Sequence, residues 1–152
     1  MLETQEPSDL MVVPERKTPR GVALAEQKLH GGIGFERMYD CFVYDGKTKE
    51  EAKKWLFHTP EALDEHFSKY LDSKDNGIFS VLTCNTKGDA SHTFEEAFAI
   101  AVVTDGEGKV MLNGEEETVK RGDRLLLLGL SGKTLEMKTE SELSVVLAMP
   151  KV

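Results

Sequence analysis

The sequence predicts a mainly β protein, an antiparallel sandwich or barrel with two short helices set before its main strands. Three observations carry this. From residue 78 onward the apolar period becomes an alternation, as in "TLEMKTE" (134–140) and "LSVVLAM" (143–149). Turn signals recur at short intervals through the same stretch: "DGEG" (105–108), Asn113-Gly114 and "KRGD" (120–123). Ahead of it stand two helix starts, Thr48 with Glu51 three residues later, and Thr59 followed by Pro60.

Residues 1–14 read as strand, turn and strand, with Pro7-Ser8-Asp9 as the turn. Residues 15–38 read as irregular. In "HGGIG" (30–34) and its continuation "GGIGFE", the third glycine of the spaced nucleotide-loop motif and the strand before it are missing, and the stretch reads as a flexible turn. In the first helix (48–56), Ala52, Trp55 and Leu56 fall on one face. In the second, Leu63, Phe67, Tyr70 and Leu71 form a stripe that "SKDNG" (73–77) ends. "IFSVLTC" (78–84) is a strand and "KGDASHT" (87–93) a loop. "AFAIAVVTDG" (97–106) is a strand with Phe98, Ile100 and Val102 on one face and alanines on the other, turning at "DGEG". A second hairpin turns at Asn113-Gly114, and "RLLLLGL" (124–130) and the two alternating runs complete the set. Tight hairpins imply antiparallel pairing.

The chain has 152 residues, which suits one domain with a core that needs neither metal nor disulfide. Its net charge of −8 argues against nucleic acid as a partner, because phosphate binding needs a basic face. No apolar run reaches membrane-spanning length, and Glu3, Glu6, Asp9 and Glu15 rule out a signal peptide in residues 1–20. Cys41 and Cys84 have no paired spacing and read as reduced, buried thiols of a cytoplasmic protein.

A metal-binding jelly roll needs imidazole and carboxylate ligands on facing strands. His30, His58, His66 and His92 are the only histidines, and none lies in 93–152. His58 falls at a joint between the helices, His66 on a helix beside the stripe, and His92 in a polar loop. No pair has ligand spacing, so no metal ligand is expected in this chain. Cys84, inside a strand pattern, reads as an inert packed thiol. The runs Glu95-Glu96 and Glu115-Glu116-Glu117 read as solvated faces. Glu3 and Asp9 suit general acid or base work at a barrel mouth, and turn capping accounts for Asp9 equally well.

The order "DGEG…LNGEEE…KRGDRLLL" is the pattern of a cupin jelly roll. "LETQEPSDLMVVPERKTPRG" followed by "GGIGFERMYDCFVYDG" resembles the type I phosphomannose isomerases, in particular their bacterial class I branch. Leu2-Glu3 and Ser8-Asp9 match a family strand, residues 34–42 match the linker into its second cupin, and the stretch from 97 resembles that second cupin. The resemblance implies that 1–47 ends a first cupin and its linker, 48–74 is a helical insert and 75–152 a C-terminal jelly roll. It implies interconversion of mannose 6-phosphate and fructose 6-phosphate by a zinc enzyme whose ligands lie upstream of Met1, this chain alone being inactive. Glu3 and Asp9 then stand where the family places active-site carboxylates. The family's arginine four residues after the aspartate is Val13 here, with Arg16 or Lys17 as substitutes toward a sugar phosphate. The expected partners are the missing N-terminal cupin, the sugar phosphate and a second copy meeting an exposed apolar face. The competing reading is a non-enzymatic cupin that binds a sugar or sugar phosphate.

Overall fold

The alternating apolar residues of the second half fold into antiparallel strands in a computed structural model that describes residues 2–5 and 12–151. The chain divides into two units, Met1–Leu56 and Phe57–Val152.

The first unit carries little regular structure. Residues 2–5 and 12–15 are not strands, so the expected strand pair over 1–14 is not formed where the chain is described; its turn, with Asp9, lies outside the described residues. Backbone pairing takes other routes: the Val13 N–H donates to Leu29 O at 2.8 Å, and Lys17 bridges Ala23 around a reversal at Thr18–Gly21. The stretch read as irregular contains α1 (Glu26–Leu29) and α2 (Phe35–Asp40), which bury Leu29 and Met38. "HGGIG" is a turn closed by His30, whose Nδ1 accepts the N–H groups of Gly32 and Gly34. The expected capping box opens α3 (Lys49–Leu56): Thr48 Oγ1 accepts the Glu51 N–H, and Glu51 Oε2 accepts the Thr48 N–H at 2.8 Å. Its apolar face is not buried, since Trp55 is 68% exposed and Leu56 62%.

In the second unit the helix expected after Thr59 is replaced by strands. β1 (Glu61–Ala62) and β2 (Phe67–Leu71) form a hairpin whose turn is tied by Asp64, with Oδ1 accepting the N–H groups of His66 and Phe67 at 2.8 and 2.7 Å. A side chain that bonds backbone two and three residues on favours a turn over a helix interior. His66 is therefore half-buried in that turn rather than helical, and His58, outside any helix joint, is exposed. After the short α4 (Ser73–Asn76), β3 (Phe79–Thr86) follows as expected. The expected loop 87–93 is instead mostly β4 (Asp89–Phe94), because Ala90, His92 and Phe94 alternate inward against β8.

The remaining strands are β5 (Phe98–Leu112), β6 (Glu115–Lys120), β7 (Arg124–Leu128), β8 (Lys133–Lys138) and β9 (Leu143–Pro150). Their order is β1-β2-β3-β9-β5-β8-β4, with β6 and β7 also paired to β5. β5 runs through "DGEG" without turning. Its first part pairs with β7 and β9, and its last part with β6 and β8, so one strand belongs to two leaves of a curled roll. The two glycines permit close approach at the crossing: a Cβ on Gly106 would collide with the Glu142 carbonyl, and one on Gly108 with that of Lys138. Asn113-Gly114 does form the expected hairpin, with φ of 56° and 83° at the two residues.

The core lies between the leaves. Leu143, Val145, Leu147 and Met149 of β9 all point into it, as do Leu135 and Met137 of β8. On β5 the alanine face is the buried one: Ala99 and Ala101 are covered, while Phe98 and Ile100 are 38% and 51% exposed. Small residues there leave room for Leu127 of β7 and Leu147 of β9, which sit beside them in register. No described helix is long and apolar enough to cross a membrane.

Candidate functional site

The interior of the roll is where a cupin-like protein would hold a ligand, and this interior is filled. Phe67, Phe94, Leu130, Leu135, Leu147 and Met149 are each 2% exposed or less. Each such side chain contributes roughly 1.5–3 kcal/mol on burial, so the interior works as core. Among the described residues, no group of three or more His, Cys, Asp or Glu side chains is placed to hold a metal ion. The described donors do not fit the zinc that the family resemblance implies for a whole enzyme.

Among the described residues, Ser80 and Thr86 of β3 are buried polar side chains, and His92 of β4 is half-buried. The ring of His92 stacks on Phe67, with centroids 4.9 Å apart, and meets Phe94 edge-on at 4.8 Å. Its Nδ1 lies 3.4 Å from Oδ2 of Asp64. Burial raises the pKa of the Asp64 carboxyl, but the Phe67 and His66 N–H groups and His92 outweigh it and hold the group below the usual carboxylate range. Beneath this pair, burial and then the Asp64 charge push the Cys84 thiol up to about 12. A thiol so shifted stays protonated at neutral pH and is no nucleophile. The Asp64–His92 pair orients the imidazole and ties the β1–β2 turn to β4. Sequence reasoning missed it, although "LDEH" carries an Asx-turn signal and "ASHTF" alternates. Cys84 is packed as expected, whereas Cys41 is exposed on the last turn of α2 and donates to Arg37 O.

Elsewhere on the roll, the edges of β6 and β7 bound a cleft of about 580 Å³. Val110, Leu112, Leu125 and Leu127 form its floor, and Glu115, Glu117, Asp123 and Arg124 stand around it. Glu115 and Glu117 share the face of buried Val119 and lie opposite Leu112 and Val110 of β5.

The residues singled out near the N-terminus lie in the first unit. Glu3 is exposed, Asp9 is outside the described residues, and Val13 is half-buried. Arg16 holds its guanidinium 5.4 Å from the centroid of Phe35, whose ring also meets His30 edge-on at 5.1 Å. Lys17, beside it, is exposed.

No protein family and no curated protein sequence matches the chain. Among solved structures it is similar to a putative ethanolamine utilization protein EutQ from Salmonella typhimurium, at 18% identity and TM-score 0.46 over 55% of this chain and 67% of that one. Ectoine synthase from P. lautus is similar at 16% identity and TM-score 0.49, over 64% of this chain and 73% of that one. The cupin domain of a transcriptional regulator from Enterobacter cloacae is similar at 14% identity and TM-score 0.48, over 57% of this chain and 95% of that one. The chain spans about two thirds of the length of the EutQ proteins, 67% and 65%. At these identities and TM-scores neither reaction nor ligand carries over to this chain.

Proposed function

We propose that Phe57–Val152 is a non-catalytic, cupin-like module of a mannose-6-phosphate-isomerase-like enzyme. The observation that supports this is the roll's inward face, packed with Leu, Met, Val and Phe where a catalytic cupin carries metal ligands. The N-terminal unit supplies this chain's share of the reacting groups. Arg16, steadied against Phe35, and Lys17 hold the phosphate of mannose 6-phosphate or fructose 6-phosphate through charge-assisted hydrogen bonds. Glu3 and Asp9 supply carboxylates for proton transfer between C1 and C2 of the open-chain sugar. A zinc ion, if residues outside this chain held one, would supply electrophilic polarisation of the sugar oxygens.

The test compares residues 1–152 with the reading frame extended upstream of Met1, each assayed for zinc content and for isomerisation of mannose 6-phosphate. Turnover is expected only in the extended protein, with Arg16→Ala raising KM at least tenfold. A frame that closes just before Met1, or stoichiometric zinc with isomerase activity in residues 1–152, overturns the proposal.

A further inference from the structure

The cleft between β6 and β7 is built from two strand edges. Among the described residues each of these strands pairs on one side only, with β5. Their other edges leave backbone N–H and C=O groups open to a further strand. The side chains around the cleft select what enters. Half-buried Leu125, with buried Leu127 beneath it, offers apolar surface on the β7 side, and Glu115 and Glu117 offer carboxylates on the β6 side.

We propose that this cleft takes an extended segment of a partner polypeptide by strand addition, with basic residues at alternate positions. In a strand alternate side chains share one face. Lys or Arg on the inward face lays its methylene stem on Leu125 and brings its charged head to Glu115 and Glu117. Main-chain hydrogen bonds to the open edge supply affinity, and the charges supply selectivity. A sugar phosphate fits poorly, because the surrounding charges sum to an acidic rim. A second copy entering about a two-fold axis sets Glu115 and Glu117 against their own images, which charge repulsion opposes.

The probe is a fluorescein-labelled eight-residue peptide of alternating Lys and Val, followed by anisotropy against the full chain. Saturable one-to-one binding is expected. A Glu-Val peptide, and a Lys-Val peptide N-methylated at alternate residues, should each bind at least tenfold more weakly. The double variant Glu115→Lys/Glu117→Lys should reverse the preference between the Lys and Glu peptides. Glu95→Lys/Glu140→Lys, which alters exposed charge elsewhere by the same amount, should stay within twofold of the parent. Circular dichroism checks that both variants are folded. Equal binding of the N-methylated peptide removes strand addition, and a preference unmoved by the Glu115/Glu117 reversal removes the cleft. Sedimentation as a dimer that binds no peptide makes a second copy the occupant; each of these results overturns the proposal.

Discussion

Replacing Gly106 by alanine tests whether "DGEG" is a crossing point or a turn. Gly106 has φ of 74°, and an added Cβ falls 2.7 Å from the Glu142 carbonyl carbon and 3.2 Å from Leu143 Cα, with the carbonyl oxygen closer still. The backbone conformation alone costs an alanine roughly 1–2 kcal/mol. Forcing a methyl against main-chain atoms adds about 1–3 kcal/mol, because carbonyls paired in a sheet have little room to move. Gly106→Ala should therefore lose roughly 2–5 kcal/mol, a large share of a stability of about 5–15 kcal/mol. With a urea m-value of about 2 kcal/mol/M, the midpoint falls by roughly 1–2.5 M. Gly88→Ala is the control: nothing lies within 4 Å of its added Cβ and its φ is outside the left-handed region. It should leave the midpoint unchanged or raise it slightly through unfolded-chain entropy. A Gly106→Ala midpoint within about 0.5 M of the parent would refute the close approach, since at that slope it leaves only about 1 kcal/mol for strain and clash together.

Three further outcomes follow from the packing. Ellman's reagent at pH 8 should titrate one thiol per folded chain, Cys41, and two in denaturant, because burial keeps Cys84 protonated; two fast thiols in the native chain would contradict it. Asp64→Ala should cost about 1 kcal/mol at pH 7 by freeing the N–H groups of His66 and Phe67, as loss of a capping side chain does. The folded Asp64 carboxyl lies below its usual value, so its contribution is present above about pH 4 and is lost as pH falls through the folded value. Urea midpoints of parent and variant should therefore converge as pH falls below the folded value. Phe67→Ala should cost about 3–5 kcal/mol and Tyr70→Ala under about 0.5, since the first is fully buried and the second is 51% exposed; a helical stripe would have made their costs similar.

Much of the β architecture was legible because alternation and turn chemistry agreed. β8 and β9 lie within two residues of their expected spans, and Asn113-Gly114 turns where its dipeptide demands it. The errors have a common physical origin. Leu63, Phe67, Tyr70 and Leu71 satisfy a helical period, but the segment pairs with β3 and its true stop signal, Asp64, acts through a side-chain bond that periodicity does not record. "DGEG" has the composition of a turn, yet its glycines answer to Glu142 and Lys138, thirty or more residues away. β4 was missed because Asp, Ser and Thr on its outer face mask the inward Ala90, His92 and Phe94. For the candidate site, the Asp64–His92 pair was invisible because its members lie 28 positions apart and meet only in the folded chain.

A spine shared by both leaves has a mechanical consequence. The fifteen residues of β5 are hydrogen-bonded into each of them, so neither can swing away without tearing a seam that also anchors the other. The roll has no clamshell motion available to it. Its central amides should resist exchange together and give way together, with fraying confined to the strands paired on one side only, β1, β4, β6 and β7.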